Sequence, residues 1–410
     1  MTTLIVTNDF PPRQGGIETF VHAMATRMPS DDVVVYTSDE PGAAEYDATL
    51  PFPVVRDPAR MLLPTRRVTR RVLETAWAHG ADRVWFGAAA PLAAMAPELR
   101  RGGIRRMVAT THGHEIWWAR TPGAARLLRR IGDHVDVVTY LGEYTRSRIA
   151  PALGPRARLE RLVPGVDATA FRPAEGGGPE AARRLRERHR LTGRRVILCV
   201  SRLVPRKGQD VLIKAMPTIL RSAPDAVLVI VGQGPDAARL RRLASRYAPG
   251  RVLFTGGLDH AATAPYYAAA DVFAMPCRTR RAGLEAEGLG IVFLEAAASG
   301  LPVVVGDSGG APDTVLDGVT GTVVDGRSTG AVAEALAATL NSPEERTLRG
   351  EAGRRWVESH WSWEGSAERL NALLDPDLPR SDDGRPPAAR TSDPGGPASD
   401  SGRGPRPGRG

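Results

Sequence analysis

Glu287 and Glu295 bracket Gly288-Leu289-Gly290-Ile291-Val292-Phe293-Leu294, and Ala296-Ala297-Ala298-Ser299-Gly300 leads from them into the apolar run at 301–305. A Gly-x-Gly turn lets the backbone come close to a ligand and leaves N–H groups aimed at it, while Gly300 is the usual helix stop. If Gly288 and Gly290 form the turn and Ile291 opens the helix, Glu287 lies just before the positive helix end and Glu295 about one turn inside. That arrangement suits a nucleotide sugar: amides and helix dipole face the diphosphate, and the carboxylates accept hydrogen bonds from sugar hydroxyls. The same residues also fit an ordinary αβ unit with two surface glutamates, and this stretch alone leaves both readings open.

Ser201-Arg202-Leu203-Val204-Pro205-Arg206-Lys207-Gly208 follows a strand-like run and precedes a helical pattern holding Leu212, Ile213 and Met216. Arg202 and Lys207 fit a diphosphate clamp, since a guanidinium can bind two oxygens and an ammonium acts as a point charge. A single basic residue in a loop is usually only solvated. The weight lies in the pair recurring at a strand end in the same half as Glu287 and Glu295.

Two stretches in the first half carry further chemistry. Asn8 to Glu18, with Gly15-Gly16, sits between a first strand and a helix; it lacks Gly-x-Gly-x-x-Gly, so it is not a dinucleotide fingerprint, yet the glycines can approach a phosphate or a transferring sugar. Thr110-Thr111-His112-Gly113-His114-Glu115 closes a buried strand. The helical spacing of metal ligands is missing and no further Cys/His cluster supports zinc, so substrate contact in a cleft is the better reading of His112 and His114.

The elements that must position these residues are short apolar strands alternating with helical patterns, the signature of parallel α/β sheets. Strands are expected at 4–7, 33–37, 83–86, 107–111 and 135–140, then at 196–201, 227–231, 252–255, 272–275, 302–306 and 321–324. Two doubly wound sheets in tandem follow, with a boundary near 164–173. Ligands of such sheets lie beyond the carboxyl ends of the strands, so two facing sheets put the site in the cleft between them. The expected division is an acceptor-binding Rossmann-like domain at 1–168 completed by a helix at 360–374, a nucleotide-sugar-binding Rossmann-like domain at 169–359, and a disordered tail at 375–410 rich in Pro, Gly, Ser, Asp and Arg.

Composition agrees and excludes other classes. The chain has 410 residues, 42% of them hydrophobic, enough for two cores. Lys+Arg 55 against Asp+Glu 46 gives a net charge of +9, which by itself supports an anionic partner only weakly. With 5% aromatics and no recognisable module, a nucleic-acid partner is not expected. Cys199 and Cys277 are too few for a disulfide framework, which fits a reducing cytosol. The opening residues read as a strand without a basic n-region, and no apolar run reaches the length of a membrane span.

Taken together, Ser201-Arg202-Leu203 with Lys207-Gly208, the Glu-x7-Glu of Glu287 and Glu295, Val231-Gly232-Gln233-Gly234-Pro235 and Ser308-Gly309-Gly310 resemble the retaining glycosyltransferases of family 4, which have the GT-B fold of two Rossmann-like sheets facing across a cleft. Thr7 to Pro12 with Gly15-Gly16, residues 86–92, Thr111 to Glu115 and the long segment from Cys277 to Glu285 are similar to the actinobacterial subgroup of GDP-mannose-dependent phosphatidylinositol (monomannoside) α-mannosyltransferases. The resemblance implies a hexosyltransferase with GDP-mannose as donor, no metal cofactor, and a phosphatidylinositol mannoside-type lipid acceptor. It places the enzyme in the cytoplasm, peripherally on the inner face of the plasma membrane. Another nucleotide sugar with a different acceptor is the alternative.

The resemblance further implies that Arg202 and Lys207 hold the GDP diphosphate. Glu287 would meet mannose hydroxyls, with the amides from Gly288 through Leu289 and Gly290 to Ile291 near sugar and phosphate, and Glu295 the ribose hydroxyls. Leu258 would touch the base through its backbone, Gly15 and Gly16 would sit near the β-phosphate and acceptor, and His112 or His114 would lie at the transferring sugar. Glu18 sits awkwardly beside an anionic acceptor. Two basic amphipathic segments, Arg60 to Leu73 and Arg126 to Arg130, suit an anionic membrane surface.

Overall fold

A computed structural model describes residues 1–173, 179–283 and 285–377; the expected tail from 378 onward lies outside the described residues. Two sheets form, and every strand pairing in them is parallel. The first comprises β1 (Thr2–Val6), β2 (Val33–Ser38), β3 (Val54–Asp57), β4 (Ala81–Phe86), β5 (Arg106–Thr110), β6 (Val137–Tyr140) and β7 (Leu159–Arg161), in the order β3-β2-β1-β4-β5-β6-β7. The second comprises β8 (Val196–Val200), β9 (Val227–Val231), β10 (Val252–Gly256), β11 (Val272–Met275), β12 (Val303–Gly306) and β13 (Gly321–Val324), in the order β10-β9-β8-β11-β12-β13.

The direction of winding reverses between β1 and β4 in one sheet and between β8 and β11 in the other. Crevices outside the carboxyl ends of those strands are where such sheets bind ligands. All the strands read from the sequence are present, with ends shifted by one or two residues. β3 and β7 are additions: both are short edge strands without the apolar runs of the interior.

Alternation builds the first core. Ile5 belongs to the cluster on one face of the sheet with Phe20, Trp85 and Val108, whereas Leu4 and Val6 belong to the cluster on the other with Val68, Val72 and Leu128. The helix Arg66–Ala78 is capped by the Thr65 hydroxyl, which accepts from the Val68 N–H; it buries Val68 and Val72 while Arg66, Arg67, Arg70 and Arg71 face outward. The second sheet buries a separate core with Phe273, Phe293 and Val304.

The final helix, Trp363–Leu373, does not continue the second core. Ala367, Leu370 and Leu373 pack with Ile5 and Val137, and the fully buried Arg106 donates from Nε to the Leu373 carbonyl at 2.8 Å. The two stretches joining the sheets meet where the Val166 N–H donates to the Trp361 carbonyl at 2.8 Å.

Candidate active site

Every candidate follows a strand's carboxyl end. Gly15 and Gly16 come after β1, His112 after β5, Arg202 and Lys207 after β8, Leu258 after β10, and Glu287 to Ile291 after β11. The helix Ile291–Ala298 starts where the sequence placed it, with Gly290 at its N-cap in the left-handed region, φ 92°. Its first amides have no intrahelical partner.

The turn before this helix is held from behind by Ser308-Gly309-Gly310. The Glu287 N–H donates to Ser308 Oγ at 3.3 Å, and the Gly310 N–H donates to the Glu287 carbonyl at 3.0 Å. A Cβ on Gly309 would lie 1.9 Å from the Glu287 carbonyl oxygen, and Gly309 has φ 62°. Only glycine allows so close a backbone approach.

Lys207 and Glu287 meet directly: Nζ lies 2.7 Å from Oε2, with side chains 11% and 8% exposed. Arg202 differs. Its guanidinium has no hydrogen bond or ion pair to any described residue and the side chain is exposed, so it is free to take an anion. Glu287, read from the sequence as a sugar contact, therefore also offsets the charge of Lys207.

The histidines separate. His112 Nε2 lies 2.7 Å from the Gly87 carbonyl, its ring is edge-on to Phe20, and withdrawal from water brings its pKa down to about 4. A carbonyl can only accept, so Nε2 carries the proton and Nδ1 presents a lone pair. His114 is more exposed and touches Glu115 Oε1 at 3.3 Å. Glu115 Oε2 in turn accepts from the His112 and Gly113 N–H groups at 3.1 and 3.0 Å, which fixes the turn; burial raises the Glu115 pKa.

The His112 turn and the Glu287 turn face each other between the sheets. A Cβ on Gly288 would lie 4.0 Å from the His112 carbonyl oxygen, and one on Gly113 4.0 Å from Gly288 Cα. Gly16 is open, and the atoms nearest a Cβ on Gly15 all belong to Glu18. Glu18 itself is held by Arg13, whose Nε donates to its Oε1 at 2.6 Å while Nη2 donates to Asp9 at 2.6 Å. The same guanidinium also faces Glu40 at 3.7 Å, so one positive charge is shared among three carboxylates and offsets that of Glu18 only in part.

Glu295 is 3% exposed, in the second turn of its helix. Tyr267 donates from its hydroxyl to Oε2 at 2.8 Å, and His260 Nε2 sits 2.7 Å from Oε1. Neither partner belongs to a motif or a spacing rule, and the sequence gives no signal for them. Leu258, two residues before His260, is 39% exposed.

At the rim, Asn8 grips the backbone of Leu62 from both sides, its amide nitrogen donating to the carbonyl at 3.0 Å and its oxygen accepting from the N–H at 2.6 Å. Leu62 is buried, and the flanking Met61 and Leu63 are left 65% and 48% exposed. Cys199 and Cys277 are buried and unpaired. Among the described residues no three His, Cys, Asp or Glu side chains are grouped to hold a metal ion, and no helix is long and apolar enough to cross a membrane.

Residues 14–170 match the family model for Glycosyltransferase Family 4, and residues 182–356 that for Glycosyl transferases group 1. The GDP-mannose-dependent alpha-(1-6)-phosphatidylinositol monomannoside mannosyltransferase of Mycolicibacterium smegmatis is 50% identical over 90% of this chain and 97% of its own. The corresponding enzyme of Corynebacterium glutamicum, named for a monoacylated acceptor, is 46% identical over 91% and 97%. Among solved structures, Anabaena HepE in complex with UDP superposes with a TM-score of 0.75 at 18% identity, covering 91% of this chain and 99% of that one. A sucrose-phosphate synthase from Thermosynechococcus elongatus gives 0.70 at 21% identity, covering 91% and 98%.

Proposed function

The chain belongs to the family 4 glycosyltransferases of the GT-B fold and is a hexosyltransferase, and from that premise we propose that it moves α-mannose from GDP-mannose to a phosphatidylinositol mannoside at a membrane surface, with retention and without a metal ion. The observation that carries the reading is the pairing of Lys207 with Glu287 under a helix N-terminus, in the same loop as Arg202, which is unpartnered among the described residues, and opposite the His112 turn. The second sheet serves the donor. The first, closed by the helix Trp363–Leu373, serves the acceptor.

Arg202 binds the diphosphate oxygens through two N–H groups, and Lys207 with the first helix amides takes the charge that grows as the glycosidic bond breaks. Glu287 keeps Lys207 in place and offers its outer lone pairs to mannose hydroxyls. Neutral His112 lies at the transferring sugar. Glu295 receives the ribose, and Leu258 the base.

Retention follows from attack on the face the diphosphate leaves. The acceptor oxygen bonds to the anomeric carbon, the carbon–oxygen bond to phosphate breaks, and the acceptor proton passes to a phosphate oxygen. A double displacement needs a free carboxylate nucleophile. The carboxylates described at the cleft are engaged: Glu287 by Lys207, Glu115 by amides, Asp9 and Glu18 by Arg13.

The membrane reading rests on the rim. Met61 and Leu63 project beside exposed Arg66, Arg70 and Arg71, an apolar tip with a basic collar suited to an anionic lipid surface. The test is to incubate the purified protein with GDP-mannose or UDP-glucose, each with and without phosphatidylinositol monomannoside, in the presence and absence of a chelator. Chelator-resistant transfer from GDP-mannose to the lipid, with an α-linked product, is expected. Transfer from UDP-glucose alone would overturn the donor, and loss of turnover on chelation the metal-free mechanism.

A further inference from the structure

Glu295 already has two partners, and they are held very differently. Tyr267 is 0% exposed; its ring stacks on Phe273 at 5.7 Å and 18° and meets Phe171 edge-on at 5.4 Å and 87°. Its hydroxyl, 2.8 Å from Glu295 Oε2, is a fixed donor. His260 makes the matching contact to Oε1 at 2.7 Å, yet its side chain is 72% exposed while that of Glu295 is 4% exposed. The ring leans on Phe171, at 5.5 Å and 56°.

The His260 backbone is tied independently of the ring, because Thr263 Oγ1 donates to its carbonyl at 2.7 Å. The imidazole can therefore swing off Oε1 without unravelling the short turn His260–Thr263. Tyr267 has no such freedom. Of the two Glu295 oxygens, Oε1 is covered by a group that can leave and Oε2 by one that cannot.

We propose that in the donor-free enzyme His260 occupies the place on Glu295 that a ribose hydroxyl takes in the complex, so that nucleoside diphosphate binding displaces it and donor affinity is coupled to the protonation of His260. This rests on the reading of Glu295 as the ribose acceptor. A buried carboxylate stripped of one donor carries a large desolvation cost, and the stand-in keeps it satisfied until a hydroxyl arrives. Tyr267 is the positioning residue that keeps the carboxylate aimed throughout.

Displacement has a proton consequence. The hydrogen bond to the Glu295 carboxylate raises the His260 pKa against the opposing effect of burial. The charged group facing the ring is Glu295 from the helix Ile291–Ala298, with Tyr267 from the helix Ala264–Ala268 on the same carboxylate and Asp259 preceding it on its own turn. Once off Oε1 the imidazole returns toward its ordinary value, near 6.5, so binding releases a proton between that value and the raised one. Affinity for the nucleotide then rises with pH across that window, by no more than about tenfold per pH unit.

The experiment is calorimetric binding of GDP from about pH 5.5 to 8, spanning the ordinary histidine range, in two buffers of different ionisation enthalpy. The proteins are the wild type, His260→Gln, His260→Ala and Glu295→Gln, and 2′,3′-dideoxyguanosine diphosphate serves as a control ligand. The gate predicts more proton release on binding to the wild type than to His260→Gln, whose profile keeps only the titration of the ligand's own terminal phosphate at about pH 6, and tighter binding below neutrality for His260→Ala. If both His260 variants keep the wild-type affinity and profile, or His260→Ala binds more weakly, while Glu295→Gln and the dideoxy ligand both lose affinity, the gate is overturned and the ribose reading stands. If Glu295→Gln and the dideoxy ligand bind as well as the unmodified pair, the ribose reading itself is overturned.

Discussion

Lys207 Nζ lies 2.7 Å from Glu287 Oε2, with both side chains almost out of water at 11% and 8% exposure. The pair joins the loop after β8 to the turn after β11, on either side of the point where the sheet reverses. The opposite charges of the pair offset each other, so Lys207 adds little net positive charge beside the exposed Arg202.

Breaking this pair costs stability as well as activity. Lys207→Met leaves the Glu287 carboxylate buried and alone, a loss of about 3 to 5 kcal/mol when one partner of such a pair is removed. The double variant Lys207→Met/Glu287→Met removes both charges, recovers most of the melting temperature by calorimetry, and still fails to transfer mannose. An unchanged melting temperature for Lys207→Met alone would show that the pair is solvated and uncoupled.

Two glycines of the site respond in opposite ways. A methyl on Gly309 meets the Glu287 carbonyl at 1.9 Å in a backbone with φ 62°, whereas one on Gly288 has nothing nearer than the His112 carbonyl at 4.0 Å. Gly309→Ala therefore lowers thermal stability and pushes the Glu287 turn out of place, abolishing GDP binding. Gly288→Ala keeps the melting temperature and narrows the cleft, so kcat/KM falls with the fold intact. Equal melting temperatures for the two variants would refute the packing argument.

The contrast also marks how far the sequence could be read. The Gly-x-Gly turn, the helix start at Ile291 and the interior strands were legible because glycine, helix stops and β-branched runs are local signals. The long-range geometry was not. No spacing rule brings Tyr267 and His260 onto Glu295, and nothing in the sequence shows that Arg13 is shared among Asp9, Glu18 and Glu40, or that Lys207 is tied to Glu287 while Arg202 has no partner among the described residues. Of His112 and His114, only tertiary burial tells which ring is withdrawn from water. The edge strands β3 and β7 were missed because a strand paired on one side needs no apolar run.

The rim makes a separable prediction. Met61→Asp/Leu63→Asp places two carboxylates on the exposed tip, with Leu62 still buried between them and gripped by Asn8. Co-sedimentation with phosphatidylinositol-containing vesicles should fall several-fold, and the wild-type binding should weaken with added salt as screening removes the arginine contribution. GDP binding should be unchanged, because the tip carries none of the proposed donor contacts. Full vesicle binding by the double variant would move the membrane surface elsewhere on the protein.

His112 gives the sharpest test of the cleft by pH. Its folded pKa of about 4 lies below the ordinary 6.5, because the ring is withdrawn from water while the Gly87 carbonyl only partly offsets that loss. The unfolded chain therefore binds the proton more readily than the folded one. This residue's share of stability is complete above about pH 6.5 and is lost as pH falls toward about 4, in total at most about 3 kcal/mol. His112→Gln keeps a donor for the Gly87 carbonyl and cannot titrate, so its stability deficit against the wild type should shrink as pH drops through that window. In the wild type the His112 ring resonances should stay unshifted from pH 8 down to about 5, and transfer should show no acid limb from this group in that range. A ring that titrates with a midpoint near the ordinary 6.5 would mean that His112 is solvated, and the neutral, Nδ1-presenting imidazole at the transferring sugar would have to be given up.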